Sequence, residues 1–261
     1  MKSSQIAAQL YSFRDFIKTE QGFIDTLGRL GEIGYEAVQL SSSIPAMPEE
    51  RLLEILSDAK MTAPTAHEQA DKIINAPESM AKRLLKLGCP HVAYPYPHFE
   101  PKSEAEALTL AKTIDAAGER LRKLGVALAY HNHNVEFIRF GSRNLLEIVF
   151  DEAKGIEMEI DTFWVQLGGA SPLEWVEKSA GRMSVIHLKD FAIAPERSAE
   201  GHCKRCLMAP IGSGNINWPR LIPAAEKAGV KTFVVEHDGD CADPFESFKS
   251  SFEYLTRNFV S

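Results

Sequence analysis

The 261-residue sequence has no long hydrophobic run. Its apolar stretches are strand-sized, such as Val126–Tyr130, far short of the roughly 18 to 20 residues a bilayer-spanning helix needs, so no membrane partner is expected. The N-terminal MKSSQIAAQLYSF lacks the basic start, apolar stretch and small-residue cleavage site of a secretion signal, and a cytoplasmic location is the expectation. Cysteine is scarce: Cys89, Cys203, Cys206 and Cys241 are four in all, too few for a disulfide framework in a chain of this length. Positive charge is outnumbered, 29 Lys and Arg against 36 Asp and Glu, for a formal net charge of −7. Binding along a nucleic-acid backbone needs a clustered basic surface. None is visible, so nucleic acid is not an expected partner. A Gly-rich turn after the first strand is also missing: that position reads Tyr11-Ser12-Phe13-Arg14-Asp15, which argues against an open dinucleotide-binding sheet.

What is present is an ordinary globular composition, 44% hydrophobic and 25% charged, in a chain whose length suits one α/β barrel domain over residues 1–261. Short β-rich runs alternate with longer stretches of helical periodicity, the pattern of parallel strands joined by crossover helices. Eight strands are expected: 6–11, 37–40, 62–67, 91–94, 126–131, 156–161, 185–189 and 232–236. The helices expected between them are 22–33, 48–59, 77–87, 103–124, 143–150, 172–179, 218–228 and 244–257. Ser171-Pro172 and Asp243-Pro244 put a capping side chain before a proline at the first helical position, while Gly34, Gly88, Gly125 and Gly229 end helices just before the next strand. Eight such units predict closure into a (β/α)8 TIM barrel. The longest irregular stretch, 191–217, is expected to be a functional lid or a mobile loop.

In such a barrel the active site sits at the C-terminal ends of the strands. Strand after strand here is apolar and then stops on a side chain capable of metal binding or acid-base work: His67, His131, Asp161, His187 and Glu236. A lone Asp or His at a strand end is usually a loop cap or a satisfied polar group. Asp161, His187 and Glu236 fall on three consecutive strands, however, and the fold would converge them on one point. Glu159 alternates with Asp161 and shares its face, as a second ligand candidate or a partner inside the barrel. The eighth strand runs on into Glu236-His237-Asp238. Mixed carboxylate and imidazole donors suit one divalent ion, Mn²⁺, Zn²⁺, Co²⁺ or Mg²⁺.

The segments YHNHNVEF, EIDTFWV, HLKD, GSGNINW and VVEHD resemble those of the sugar phosphate isomerase/epimerase superfamily of xylose isomerase-like barrels, over nearly the whole chain. The resemblance implies a metal-dependent isomerase or epimerase that works on a keto sugar or polyol through an enediolate-like intermediate. It also implies a metal set of Glu, Asp, His and Glu on the fifth to eighth strands, of which Asp161, His187 and Glu236 match three. The fourth departs: His131 in AYHNHNVEF stands where the Glu is customary, as in the inosose-dehydratase-like branch, and the nearest acid is Glu136. Either His131 or Glu136 would complete the site. A histidine there admits lyase, dehydratase or hydrolase chemistry on a keto-inositol or 3-keto-glycoside as the alternative. A non-catalytic sugar-binding barrel and an endonuclease IV-like repair enzyme are the remaining alternatives; the latter needs more histidines than the eight present.

Other residues suit a polyol pocket. His131, Glu136, His67 and Lys189 are the candidates for catalysis, and Glu68, Tyr94, Tyr96, Phe163 and Trp164 for substrate contact. Phe163 and Trp164 could equally be packing residues, and Lys189-Asp190 an ion pair closing the mouth. His202-Cys203 with Cys206 reads as an ordinary loop rather than a zinc site, since no second ligand pair lies nearby. Gly212–Trp218 reads as a flexible turn into a helix N-terminus that could meet a phosphate or carboxylate. The partner expected is a small sugar or polyol, and a homo-oligomer is compatible with the sequence.

Overall fold

The computed structural model describes residues 1–199, 201–202, 205–237, 239 and 243–261. Asp238, Cys203 and Cys241 lie outside the described residues. Eight parallel strands close into a barrel: β1 (Ile6–Gln9), β2 (Ala37–Leu40), β3 (Thr62–His67), β4 (His91–Tyr94), β5 (Ala127–His131), β6 (Glu157–Asp161), β7 (Val185–Leu188) and β8 (Thr232–Val235), with β8 pairing back onto β1. The expected (β/α)8 barrel is the observed fold. No helix among the described residues is long and apolar enough to cross a membrane.

Period-two alternation along each strand builds the interior. Ala7, Ala37, Val185 and Val234 form a small buried cluster separate from the main core, in the register Ala7 with Ala37 and with Val234, and Thr232 with Val185. Two residues further along the same strands stand Gln9, Gln39, His187 and Glu236, one pleat nearer the C-terminal mouth. The barrel therefore has a floor of small apolar side chains and a polar layer above it. The intervening residues, such as Ile6, Val38, Ile186 and Phe233, are fully buried in the main core against the surrounding helices.

Helix boundaries follow local chemistry. Ser171 and Asp243 accept from backbone N–H groups in the first turns of Pro172–Lys178 and Pro244–Phe259, and Gly34 and Gly229 adopt positive φ of 120° and 103° at the ends of Glu20–Ile33 and Trp218–Ala228. The helix expected from Arg143 begins at Leu145 because Asn144 and Glu147 form a reciprocal capping box, while Arg143–Asn144 pairs with Arg139–Phe140. Two short helices, Ala70–Asn75 and Thr162–Leu167, were not expected; each is about one and a half turns, too short to show a period in sequence.

The stretch 191–217, expected to be irregular throughout, contains two short strands. Asp190–Ile193 and Cys206–Ala209 pair as an antiparallel hairpin, and its base is tied by one carboxylate. Asp190, 1% exposed, accepts from the N–H groups of Gly212, Gly214 and Ile216 and from Trp218 Nε1, at 2.7–3.1 Å. The Gly212–Trp218 segment thus meets a carboxylate of its own chain. Gly214 is required there, since a Cβ would stand 2.3 Å from Asp190 Oδ1. Asp190→Ala should leave two buried donors, Ile216 N and Trp218 Nε1, without an acceptor and, at about 1–3 kcal/mol per buried orphan, lower unfolding stability by at least about 2 kcal/mol. Urea denaturation checks this, with the hairpin reported by proteolysis.

Candidate metal centre and active site

The C-terminal mouth gathers charge away from water. Glu159, Asp161 and His187 are fully buried, Lys189 is 1%, His131 2% and Glu236 6% exposed. β6 and β7 place Asp161 level with His187, and β5 and β6 place His131 level with Glu159. His187 is the hub. Its Nδ1 lies 2.8 Å from Glu236 Oε2, and its Nε2 lies 2.7 Å from Gln39 Oε1 and 3.0 Å from Glu159 Oε1. Burial alone would lower its pKa, but the carboxylates of Glu159 and Glu236 outweigh that and raise it to about 10, so both ring nitrogens donate. Lys189 Nζ bridges Asp161 Oδ2 at 3.1 Å and Glu236 Oε2 at 3.0 Å.

The carboxylates respond unequally. Burial pushes Asp161 up to about 6. Glu159 and Glu236 are held well below the usual carboxylate range despite their burial, Glu159 by His187 and His67, Glu236 by Lys189 and His187. Asp161 has two tasks, which reconciles the cap and ligand alternatives: Oδ1 accepts from Trp164 N at 3.0 Å and starts the helix Thr162–Leu167, while Oδ2 faces Lys189. Asn132 accepts from Asp161 N at 3.0 Å, tying β5 to this corner.

Four expected residues, His131, Asp161, His187 and Glu236, have ligand atoms all within 4.8 Å of one another; His67, His131, Glu159 and His187 form an overlapping group of the same tightness. Each could hold a metal ion. His67 Nε2 pairs with Glu159 Oε1 at 2.5 Å, and its ring stacks at 7° on that of His187. Burial, then the neighbouring His187, pushes His131 well below the ordinary histidine range, which keeps its ring neutral and its lone pair available.

Other expected residues fall elsewhere. Glu136 does not join either group: it is fully buried and accepts from Tyr130 Oη at 2.9 Å and His133 N at 2.8 Å. Tyr94 is buried, and its hydroxyl accepts from His98 N at 2.8 Å, closing the loop after β4. Phe163 packs against Trp164 and Phe191. Glu68 does line the cavity, anchored by Arg83 and Lys72. Lys189 and Asp190 point to different partners rather than to each other. Cys206 lies exposed at the start of a hairpin strand.

A cavity of about 300 Å³ opens above the charged layer, lined by Tyr11, Ser41, Glu68, Tyr96, His131 and His133 among others, at the small end of ligand pockets. His133 and Trp164, with rings 5.4 Å apart, each bury a polar nitrogen, His133 Nδ1 and Trp164 Nε1, that has no hydrogen bond among the described residues. His133 and Gln39 were not foreseen as site residues. For Gln39 the only signal was an odd polar residue on the inward face of an apolar strand, and for His133, past the end of β5, there was none but its place two residues after His131.

A family profile described as xylose isomerase-like TIM barrel matches residues 28–258. The chain belongs to this family. Among xylose isomerase-like barrels of known structure, a sugar phosphate isomerase/epimerase from Parabacteroides distasonis superposes with a TM-score of 0.78 at 21% identity, covering 97% of this chain and 93% of that one. A family barrel from Mycobacterium smegmatis, crystallised in complex with magnesium, superposes with a TM-score of 0.73 at 16% identity, covering 98% and 97%. At these identities the likeness is one of fold. An inosose dehydratase of Lacticaseibacillus casei is 23% identical over 171 residues, 61% of this chain and 56% of that protein. The chain thus aligns with little more than half the length of this curated relative.

Glu136→Ala should remove the acceptor of the Tyr130 hydroxyl and the His133 N–H and cost about 2 kcal/mol of stability. Thermal unfolding of the purified variant is the check, and an unchanged midpoint would contradict the structural role.

Proposed function

We propose that the chain is a divalent-metal-dependent isomerase or epimerase of a keto sugar or polyol. The observation that carries this reading is the convergence of His131, Asp161, His187 and Glu236 from β5 to β8, with donor atoms within 4.8 Å of one another beneath a small cavity. The donor set fits such an ion. His131 Nδ1 is buried without a hydrogen bond among the described residues, and coordination would satisfy it, while Asp161 Oδ2, now paired with Lys189 Nζ at 3.1 Å, would share its charge with the ion. Two imidazoles with two carboxylates suit Mn²⁺, Zn²⁺, Co²⁺ or Mg²⁺. Bound there, the ion supplies Lewis acidity toward a substrate carbonyl.

The protein's own groups do the rest. Glu159 stands behind His187 and His67 rather than in the coordination set: accepting from His187 Nε2 leaves Nδ1 to face Asp161 and Glu236, the carboxylate–histidine arrangement that orients a metal-binding ring. His67 lines the cavity with Glu159 fixing one ring nitrogen, and it takes and returns the proton at the carbon beside the carbonyl. Lys189 supplies a fixed positive charge for negative charge developing on a substrate oxygen. His133 Nδ1 and Trp164 Nε1 meet substrate hydroxyls.

A second reading, a lyase or dehydratase acting on a keto-inositol or 3-keto-glycoside, is favoured by one feature: an imidazole, His131, occupies the place on β5 where the resembled epimerases carry a carboxylate. The likeness to inosose dehydratase supports it. Metal-loaded protein incubated in D₂O with keto sugars, inososes and 3-keto-glycosides separates the two. Solvent deuterium beside the carbonyl of an isomerised sugar is the expected product by NMR; an unsaturated or cleaved product would replace the first reading by the second.

Asp161→Ala and His187→Ala should each abolish bound metal by elemental analysis and reduce turnover on the order of a thousandfold, as loss of several kcal/mol of Lewis-acid stabilisation requires. Because metal-free His187 is protonated well above neutrality, an ion must displace that proton. Calorimetric titration at pH 7 in buffers of different ionisation enthalpy should therefore show about one proton released per ion, and uptake should weaken as pH falls.

A further inference from the structure

Beside the polar cavity lies a second, apolar one of about 120 Å³, lined by Tyr96, Pro97, Val135, Ile138, Phe140 and Leu145. Tyr96 lines both, so the two lie side by side. The loop that carries His133 into the polar cavity continues directly into Val135 and Ile138 of the apolar one, and the Tyr96 and His133 rings meet edge to face at 5.5 Å. The apolar wall is open to water. Ile138 is 58% and Tyr96 47% exposed, and both are among the most exposed large apolar side chains described. Leaving this surface wet at the rim of a polar site costs solvation free energy that an apolar ligand would recover. A cavity of this size holds about one aromatic ring, by comparison with apolar cavities that admit benzene.

We propose that the apolar cavity is a substituent subsite, and that the substrate is a keto-glycoside whose oxidised sugar occupies the polar cavity and whose aromatic or otherwise apolar aglycone packs on Ile138, Phe140 and the ring of Tyr96. The proposal rests on the sugar reading above and narrows it, since a free sugar would leave the apolar wall empty. Polarity is partitioned to match. Unpartnered nitrogens, imidazoles and carboxylates lie on the His133 side of Tyr96. On the other side the only charged residues lining the cavity, Glu100 and Lys102, pair with each other at 2.5 Å.

The test compares methyl and phenyl 3-keto-β-glycosides of glucose, galactose and xylose, and phenol alone, against zinc-loaded full-length protein by ligand-observed NMR and calorimetry. At least one phenyl glycoside should bind about tenfold or more tightly than its methyl counterpart. Ile138→Asp, at an exposed position where folding is undisturbed, should erase that gain and leave the methyl glycoside's affinity unchanged. Equal affinity for both members of every pair, or a gain that survives Ile138→Asp, would overturn the subsite while leaving the sugar reading intact. Phenol binding that Ile138→Asp abolishes, in protein that takes none of the glycosides, would support the apolar subsite and overturn the sugar reading. Concentration-dependent self-association lost in Ile138→Asp would show that a second copy covers the wall, and would also overturn the subsite.

Discussion

Five ionisable side chains, Glu159, Asp161, His187, Lys189 and Glu236, are withdrawn from water at one end of the barrel. Isolated burial of any one would cost several kcal/mol, and only mutual pairing makes the set tolerable. Three carboxylates face two cations, so one negative charge is in excess, and Asp161, raised to about 6 chiefly by burial and further by Glu236, is the carboxylate that gives way. Exchanging the His187 proton for a divalent ion would bring the group to neutrality. That balance is the physical ground for the metal reading, independent of any likeness to other barrels.

The surrounding structure serves this cluster. The floor of Ala7, Ala37, Val185 and Val234 is small and apolar, which keeps water from entering beneath, while Gln39 accepts from Gln9 and donates to Thr65 and to Glu159, linking them across the barrel. Asp161 shows how closely scaffold and site are joined: one oxygen begins a helix and the other faces the charged cluster. Asp190, adjacent in sequence to Lys189, turns the opposite way and holds the 206–217 segment in place. A lysine and an aspartate side by side on a chain leaving its strand project to opposite sides, so the ion pair suggested by their adjacency was never geometrically available.

Much of the barrel was legible because its signals are local. β2, β3 and β4 have the expected bounds, and the other strands differ from expectation by one or two residues at their ends. Such offsets are ordinary, because whether a terminal residue pairs depends on its neighbour strand rather than on its own type. The hairpin within 190–209 was missed for the same reason: its strands are only four residues long and do not alternate, and each exists by pairing with the other.

The sequence by itself determined the alternation of strand and helix, and with it the rule that strand-end polar residues share one mouth; His131, Asp161, His187 and Glu236 were named on that basis. Only the tertiary structure decided which acids join them. Glu136 and Glu159 are equally acidic in sequence and only 23 positions apart. Glu159 projects inward on β6 into the histidines, whereas Glu136 sits past the end of β5, where Tyr130 Oη and the backbone of His133 claim its oxygens. The alternation of Glu159 with Asp161 already told which way Glu159 faces, but the competition for buried hydrogen-bond donors that claims Glu136 is a property of the packed structure, and no spacing along the chain encodes it.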